Sequence, residues 1–262
     1  MTVDLSVVVI TWNQEGFLRT CLESVMGNPV KSNVELVVVD NGSTDGTREY
    51  LSTLGGVTTI LNDENLGVAR ARNQGIEAAQ GRYVFHLDDD AKVHPGCLDR
   101  LRTFMDENED VGLAGCRVLN PDGTLQPNAR RFYTLSAILA RRTPLGKTAW
   151  GRKVSQRHLM MDWDHQTTRY VDWVCGAAFC MRRSTIDRIG GFYDGYFFGF
   201  EDVEWAFRVW KHGQRVAYVY DTVVTHCYQR SSRRLTSKRG IQHLASLFKF
   251  WLRNGISRPI PH

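Results

Sequence analysis

An α/β fold with a Rossmann-like, mostly parallel central sheet flanked by helices is what this sequence predicts, on three grounds. Short β-branched runs bounded by polar turns alternate with helix-spaced segments over roughly the first 90 residues. The runs end in polar residues, as strands feeding a binding edge do. A hydrophobic content of 42% in 262 residues is enough to bury a substantial core.

The elements follow in order. "LSVVVI" (5 to 10) reads as the first strand, and helical spacing over Gly16 to Met26 follows it. "VELVVVD" (34 to 40) is the second strand, and a helix over Thr44 to Leu54 starts after "DNG" with Ser43 or Thr44 as its N-cap. A helix over Val68 to Ala79 ends at Gln80-Gly81 and leads to the strand "YVFHL" (83 to 87). This βαβα order implies parallel strands with right-handed crossovers. "VGLAGCRVL" is a further strand and "NPDGTL" a tight turn. In the basic stretch beyond, "RRFYTLSAILARR" reads as helical and "TPLGKTAWGRK" as a loop. "VDWVCGAAFCMRR" (171 to 183) is one strand-like run, and "GGFYDGYFFGFEDVEWAFRVWKHG" (190 to 213) is an aromatic loop feeding a helix. "RVAYVYDTVVTH" (215 to 226) is the last strand, and residues 229–262 form a basic, helical C-terminal extension.

A net charge of +5 hides a strong asymmetry. Residues 123 to 161 and 222 to 262 each hold eight Lys or Arg and no acid, so the rest of the chain is an acidic body at −11. Something anionic is expected at the two basic segments. Six scattered cysteines show no CxxC pairing, which points to reduced, buried thiols and a cytoplasmic protein. No apolar run is long enough to span a bilayer, and "LSVVVI" is too short and lacks the basic flank of a signal peptide. Any membrane contact is therefore expected to be peripheral, at the inner face of the cell membrane.

Ligands of such sheets bind beyond the carboxyl ends of the strands, which here read "TWNQ", "DNGSTDGT" and "DDD". "TWNQEGF" is neither a GxGxxG turn nor a glycine-rich, Lys-containing phosphate loop, which counts against dinucleotide binding and nucleotidyl transfer. Basic and aromatic residues do not recur together, and an acidic body would repel phosphates, so nucleic acid is not an expected partner. Three adjacent aspartates repel one another unless a cation compensates. A solvated turn capping the next helix is the plain reading of "DDD"; the sharper one is a site for Mn²⁺ or Mg²⁺ that bridges to diphosphate oxygens. A second acidic site lies at "FEDVEW", where Val203, Ala206, Phe207 and Trp210 form a core-facing stripe and leave Glu201 and Asp202 at the first turn. Acids there serve either the helix dipole or general-base chemistry.

"SVVVITWNQEGFLRTCLESV", "ELVVVDNGSTDGT", "NLGVARARNQGI", "LDDD", "VDWVCGAAFCMRR" and "GGFYDGYFFGFEDVEWAFR" resemble, in order, the motifs of the family 2 inverting glycosyltransferases of GT-A fold. With the later "HCYQRSS", the chain is most similar to bacterial rhamnosyltransferase-like enzymes that build cell-surface polysaccharides. The resemblance implies a glycosyltransferase domain over 1–228, with a nucleotide-binding half (1–110) and an acceptor and catalytic half (111–228).

It also implies roles for single residues. Thr11, Asp40, Asn65, Arg72, Asp88 and Asp89 would contact the nucleotide of a nucleoside-diphosphate sugar, and Asp90, with Asp88 and His226, would hold Mn²⁺ or Mg²⁺. Asp202 would be the general base, with Glu201 as the alternate; Trp173 and Gly176 would line the donor-sugar pocket, with core packing as the alternative for Trp173; Arg230, Arg233 and Arg234 would bind the diphosphate, or else form a solvated basic loop. The acceptor would be a hydroxyl of a glycan, lipid-linked or polymeric, with a soluble small molecule or protein as the alternative and a non-catalytic nucleotide- or nucleic-acid-binding protein as the rival class. In the tail, Ile241, Leu244, Leu247, Phe248, Trp251 and Leu252 form a helix-period stripe flanked by Lys and Arg, suited to an anionic membrane, a homodimer partner or the domain itself.

Overall fold

The structure, a computed structural model, describes residues 2–227 and 238–255. Its elements are β1 (Leu5–Thr11), α1 (Glu15–Met26), β2 (Val34–Asp40), α2 (Thr47–Ser52), β3 (Val57–Leu61), α3 (Val68–Ala78), β4 (Tyr83–Asp88), β5 (Ala91–Val93), α4 (Cys97–Glu107) and β6 (Val111–Leu119). They continue with β7 (Ala129–Arg130), α5 (Leu135–Arg142), a 3-10 turn (Pro144–Lys147), α6 (Ala149–His158), β8 (Arg169–Tyr170), β9 (Trp173–Val174), β10 (Ala178–Arg182), α7 (Arg183–Ile189), α8 (Glu201–Lys211), β11 (Arg215–His226) and α9 (Lys238–Asn254).

One nine-stranded sheet runs in the order β3-β2-β1-β4-β10-β6-β11-β5, with β8 on the flank of β11. The first four are mutually parallel, β10 inserts antiparallel between β4 and β6, and β11 returns parallel to β6. A small second sheet pairs β7 with β9. Successive residues of β1 face opposite layers. Val7 and Val9 pack with Leu18, Leu22 and Leu98, whereas Val8 packs with Ala69, Ile76 and the aromatic layer around Phe179 and Trp205. Burial on both faces is why these strands read as unbroken apolar runs.

Several expectations are corrected. The second helix starts at Thr47 rather than Thr44, because the Ser43 hydroxyl instead accepts from the Asn13 N–H at 2.8 Å, while Asp45 accepts from the Thr47 N–H at 3.1 Å. "TPLGKTAWGRK" is not a loop. Thr143 caps a 3-10 turn and Thr148 accepts from the Gly151 N–H to start α6, an N-cap signal hidden behind Pro144 and Gly146. The 171 to 183 run is broken at Gly176 into β9 and β10. The short strands β3 and β5 carry no strong pattern of their own: β3 lies at the sheet edge with Thr58 and Thr59 exposed, and β5 has three residues.

Helix α9 packs onto the domain. Phe250 meets Phe200 and Phe207, Lys249 Nζ donates to the Gly195 carbonyl at 2.7 Å, and the Ser246 hydroxyl donates to the Phe198 carbonyl at 3.2 Å. The expected apolar stripe is divided between two faces. Leu247 is buried and Trp251 half-buried against the domain, whereas Phe248 and Leu252 are exposed. The side chains of Ile241 and Leu244 lie outside the described residues. All six cysteines are free, and Cys21, Cys97, Cys116 and Cys180 are buried. Among the described residues no helix is long and apolar enough to cross a membrane.

Candidate active site

Strand register decides where the polar strand ends fall. Thr11 pairs with Asp40 across β1 and β2, and Ile10 pairs with Asp88 across β1 and β4. Thr11, Asp40 and Asp88 therefore stand in a row at the carboxyl edge of the sheet, where α/β folds hold ligands. Asp40 is fully buried, and its carboxylate accepts from the Ser43 N–H at 3.1 Å and from Arg48 Nε at 2.8 Å. Thr11 is buried. Asn65 directs its side chain into its own loop, accepting from Asn41 Nδ2 at 3.1 Å and the Gly67 N–H at 3.0 Å.

Beyond Asp88 the chain turns into β5, which pairs with the end of β11 so that Ala91 lies opposite His226. His226 Nε2 comes within 3.0 Å of Asp90 Oδ1 and 4.0 Å of Asp88 Oδ2. Asp88, Asp90 and His226 offer ligand atoms all within 4.8 Å of one another. Two hard carboxylate oxygens and one imidazole nitrogen fit Mn²⁺ well and Mg²⁺ acceptably. The other imidazole nitrogen, Nδ1, lies 2.7 Å from Gln126 Oε1, a partner that fixes the ring and keeps Nε2 turned toward the carboxylates. Burial works against a charged His226, but the Asp90 hydrogen bond and the charge of Asp88 outweigh it and push the imidazole up. Burial also pushes Asp89 up to about 7, the Thr11 hydroxyl opposing and the charges of Asp90 and Asp88 adding to it.

Arg72 lies beneath this row, only 3% exposed. Its guanidinium donates to Asp88 Oδ1 at 3.0 Å, to the Gly176 carbonyl at 2.8 Å and to Glu201 Oε1 at 3.2 Å. The residue expected at the nucleotide is thus a strut between the strand-end acids and the start of α8. Gly176 permits that approach, because a Cβ there would sit 3.0 Å from Arg72 Nη2.

The start of α8 is set by irregular backbone. Phe200 has φ 75°, a left-handed conformation that costs a bulky residue about 1–2 kcal/mol, and packing against Tyr133 and Phe250 holds it there. Asp202 Oδ2 accepts from the Gly176 N–H at 3.0 Å, and Oδ1 accepts from the Val203 N–H at 2.8 Å. Asp202 is half-buried, whereas Glu201 is buried. Glu201 gives one oxygen to Arg72, and the other has no hydrogen-bond partner among the described residues. Burial, then the charge of Asp202, pushes Glu201 up to about 7 against the pull of Arg72.

The remaining expected residues are distributed as follows. Trp173 is buried in the core, its indole N–H donating to the Arg131 carbonyl at 3.0 Å and its ring stacked on Tyr133, rather than lining an open pocket. Arg230, Arg233 and Arg234 lie outside the described residues. Sequence reasoning misses Gln126 and Phe200. Nothing in the sequence links Gln126 to a histidine 100 positions away, whereas Gly199 beside Phe200 is a usable sign of irregular backbone.

A parallel-stranded first half, an Asp-Asp-His cluster at its carboxyl edge and a helix-borne acid pair match the class of GT-A glycosyltransferase folds. Glycosyl transferase family 2 matches residues 6–181, and the chain belongs to that family. It is 28% identical over 267 residues to the N-acetylglucosaminyl-diphospho-decaprenol L-rhamnosyltransferase of Mycobacterium tuberculosis, covering 95% of this chain and 84% of that protein. Among solved structures it is similar to GalNAc-T7 with UDP, GalNAc and Mn²⁺, with a TM-score of 0.70 and 19% identity, over 96% of this chain and 48% of that one. It is also similar to the mannosyltransferase PcManGT of Pyrobaculum calidifontis in complex with GDP-Man and Mn²⁺, with a TM-score of 0.66 and 21% identity, over 99% of this chain and 67% of that one. The chain is thus a glycosyltransferase of GT-A fold.

Proposed function

We propose that this enzyme moves a sugar, rhamnose by analogy with the mycobacterial relative, from a nucleoside diphosphate onto a hydroxyl of a lipid-linked or polysaccharide glycan, with inversion at the anomeric carbon. The observation that carries the reading is the pairing of two distinct acidic sites, Asp88–Asp90–His226 and Asp202, through Arg72 and Gly176. Residues 1–110 hold the nucleotide and residues 111–228 the acceptor. Asp88, Asp90 and His226 hold Mn²⁺ or Mg²⁺, which when bound supplies charge neutralisation for the leaving diphosphate. Asp202 takes the acceptor proton as the new oxygen–carbon bond forms and the bond to the diphosphate breaks on the opposite face of the sugar. Two observations favour Asp202 over Glu201 as the base: Asp202 is the more exposed, and Glu201 is tied to Arg72.

The lipid-linked acceptor rests on the mycobacterial relative, whose name specifies N-acetylglucosaminyl-diphospho-decaprenol, and it suits an enzyme working peripherally at the inner face of the membrane, with the tail as a membrane or dimer contact. The test is to incubate the purified protein with Mn²⁺ or Mg²⁺ and a panel of UDP-, dTDP- and GDP-sugars, measuring nucleoside diphosphate release beside Asp90→Ala. Metal-dependent release from a rhamnose donor, lost in the variant, is expected. Release from another donor alone would overturn the rhamnosyl reading, and no release from any donor would overturn the enzymatic one.

A further inference from the structure

We propose that the hairpin of α5, the 3-10 turn and α6 is a docking surface for an anionic lipid bilayer. The surrounding segment, residues 123 to 161, holds eight Lys or Arg and no acid. Within it Leu135, Leu139, Leu145 and Trp150 are 56%, 47%, 46% and 48% exposed. Lys147, Arg152 and Lys153 are exposed among them. Ala137 and Ala140 make the inward face of α5, so Leu135 and Leu139, one turn apart, lie on its outward face. Exposed aliphatic and Trp side chains interleaved with cations suit the boundary between acyl chains and anionic headgroups. A polyanion alone would leave the leucines in water, and the uniform positive charge opposes pairing with a second copy of the same face.

The hairpin is built to present these groups firmly. Thr134, Thr143 and Thr148 each cap the element that follows, and any side chain at Gly151 would collide with the Leu145 carbonyl. The surface is also anchored to the active site. Tyr133, just before α5, packs on Trp173 and on Phe200, the residue preceding Glu201 and Asp202, and the Arg131 N–H donates to the His158 carbonyl at the far end of α6. A bilayer on this face would bring a lipid-carried hydroxyl toward the start of α8, to which Tyr133 connects the hairpin through Phe200. The surface deepens the lipid-linked-acceptor reading and rests on it for its purpose, but its binding is measured without donor or acceptor.

The test is co-sedimentation of the full chain with phosphatidylglycerol–phosphatidylcholine vesicles and with phosphatidylcholine vesicles. Lys147→Gln/Arg152→Gln/Lys153→Gln should weaken binding to the anionic vesicles about a hundredfold, since each basic residue near such a surface multiplies affinity about fivefold. Leu139→Ser/Leu145→Ser/Trp150→Ser should weaken it at least about tenfold, while thermal melting and nucleoside diphosphate release stay as in the parent. Phe248→Ser/Leu252→Ser on α9 serves as the comparison and should have the smaller effect. Equal binding to both vesicle types, unchanged binding of the hairpin variants, or loss confined to the α9 variant would each overturn the proposal. So would a parent that ignores vesicles but forms a dimer, by light scattering, that the hairpin variants lose. Failure of donor release would leave vesicle binding unaffected, so the two readings fail separately.

Discussion

The two acidic sites of this molecule are built by opposite means. At the strand ends, register in a regular sheet places Asp88 beside the Thr11–Asp40 pair, and the β5–β11 pairing adds His226 to Asp90. At the start of α8, a strained Phe200 and the Gly176 and Val203 N–H groups aim Asp202, with no sheet to enforce the position. The first site answers its carboxylates with Arg72 and His226, which suits holding a cation and a diphosphate. The second leaves Asp202 half-buried, which suits taking a proton. A cluster of carboxylates can thus be written into repetitive backbone, whereas the aim of Asp202 depends on irregular backbone held by packing.

Arg72 joins the two sites, and removing it should disturb both at once. Loss of one partner of a buried ion pair costs about 3–5 kcal/mol, so Arg72→Gln is expected to unfold at clearly lower denaturant concentration and to lose transfer as well. If the variant keeps its stability and loses only donor affinity, Arg72 is a nucleotide contact, as the family resemblance implies.

A smaller effect separates the roles of the two helix acids. Glu201 is pushed from its ordinary 4.5 up to about 7, chiefly by burial. A carboxyl raised on folding adds stability that is fully present below about 4.5 and is lost as pH rises through about 7. Glu201→Gln should therefore melt close to the parent near pH 5 and above it near pH 8, with transfer reduced but retained. A melting profile with the parent's pH dependence would remove the buried, proton-holding role of Glu201.

The same contrast explains what was legible. The runs in β1, β2 and β4 spell out a sheet buried on both faces, and Thr11, Asp40 and Asp88, which end them, were readable as residues of its carboxyl edge. Helix α8 was readable too, since its stripe left Glu201 and Asp202 at the first turn. What the sequence did not carry were long-range answers: the Gln126 amide on His226 and the Arg72 strut under Glu201. Each depends on side chains brought together from distant strands and loops. Helix α6 was hidden for a local reason, because Pro144 and Gly146 punctuate the sequence just before the Thr148 cap.

The division of labour between the sites is decided by measuring, for Asp90→Ala and Asp202→Asn side by side, nucleoside diphosphate binding in Mn²⁺ by calorimetry and sugar transfer to acceptor. Asp90→Ala should lose both, whereas Asp202→Asn should keep binding within about threefold and lose transfer by about a thousandfold. Retained transfer in Asp202→Asn, or equal loss of binding in both variants, would contradict a cation site at the strand ends and a separate base on α8.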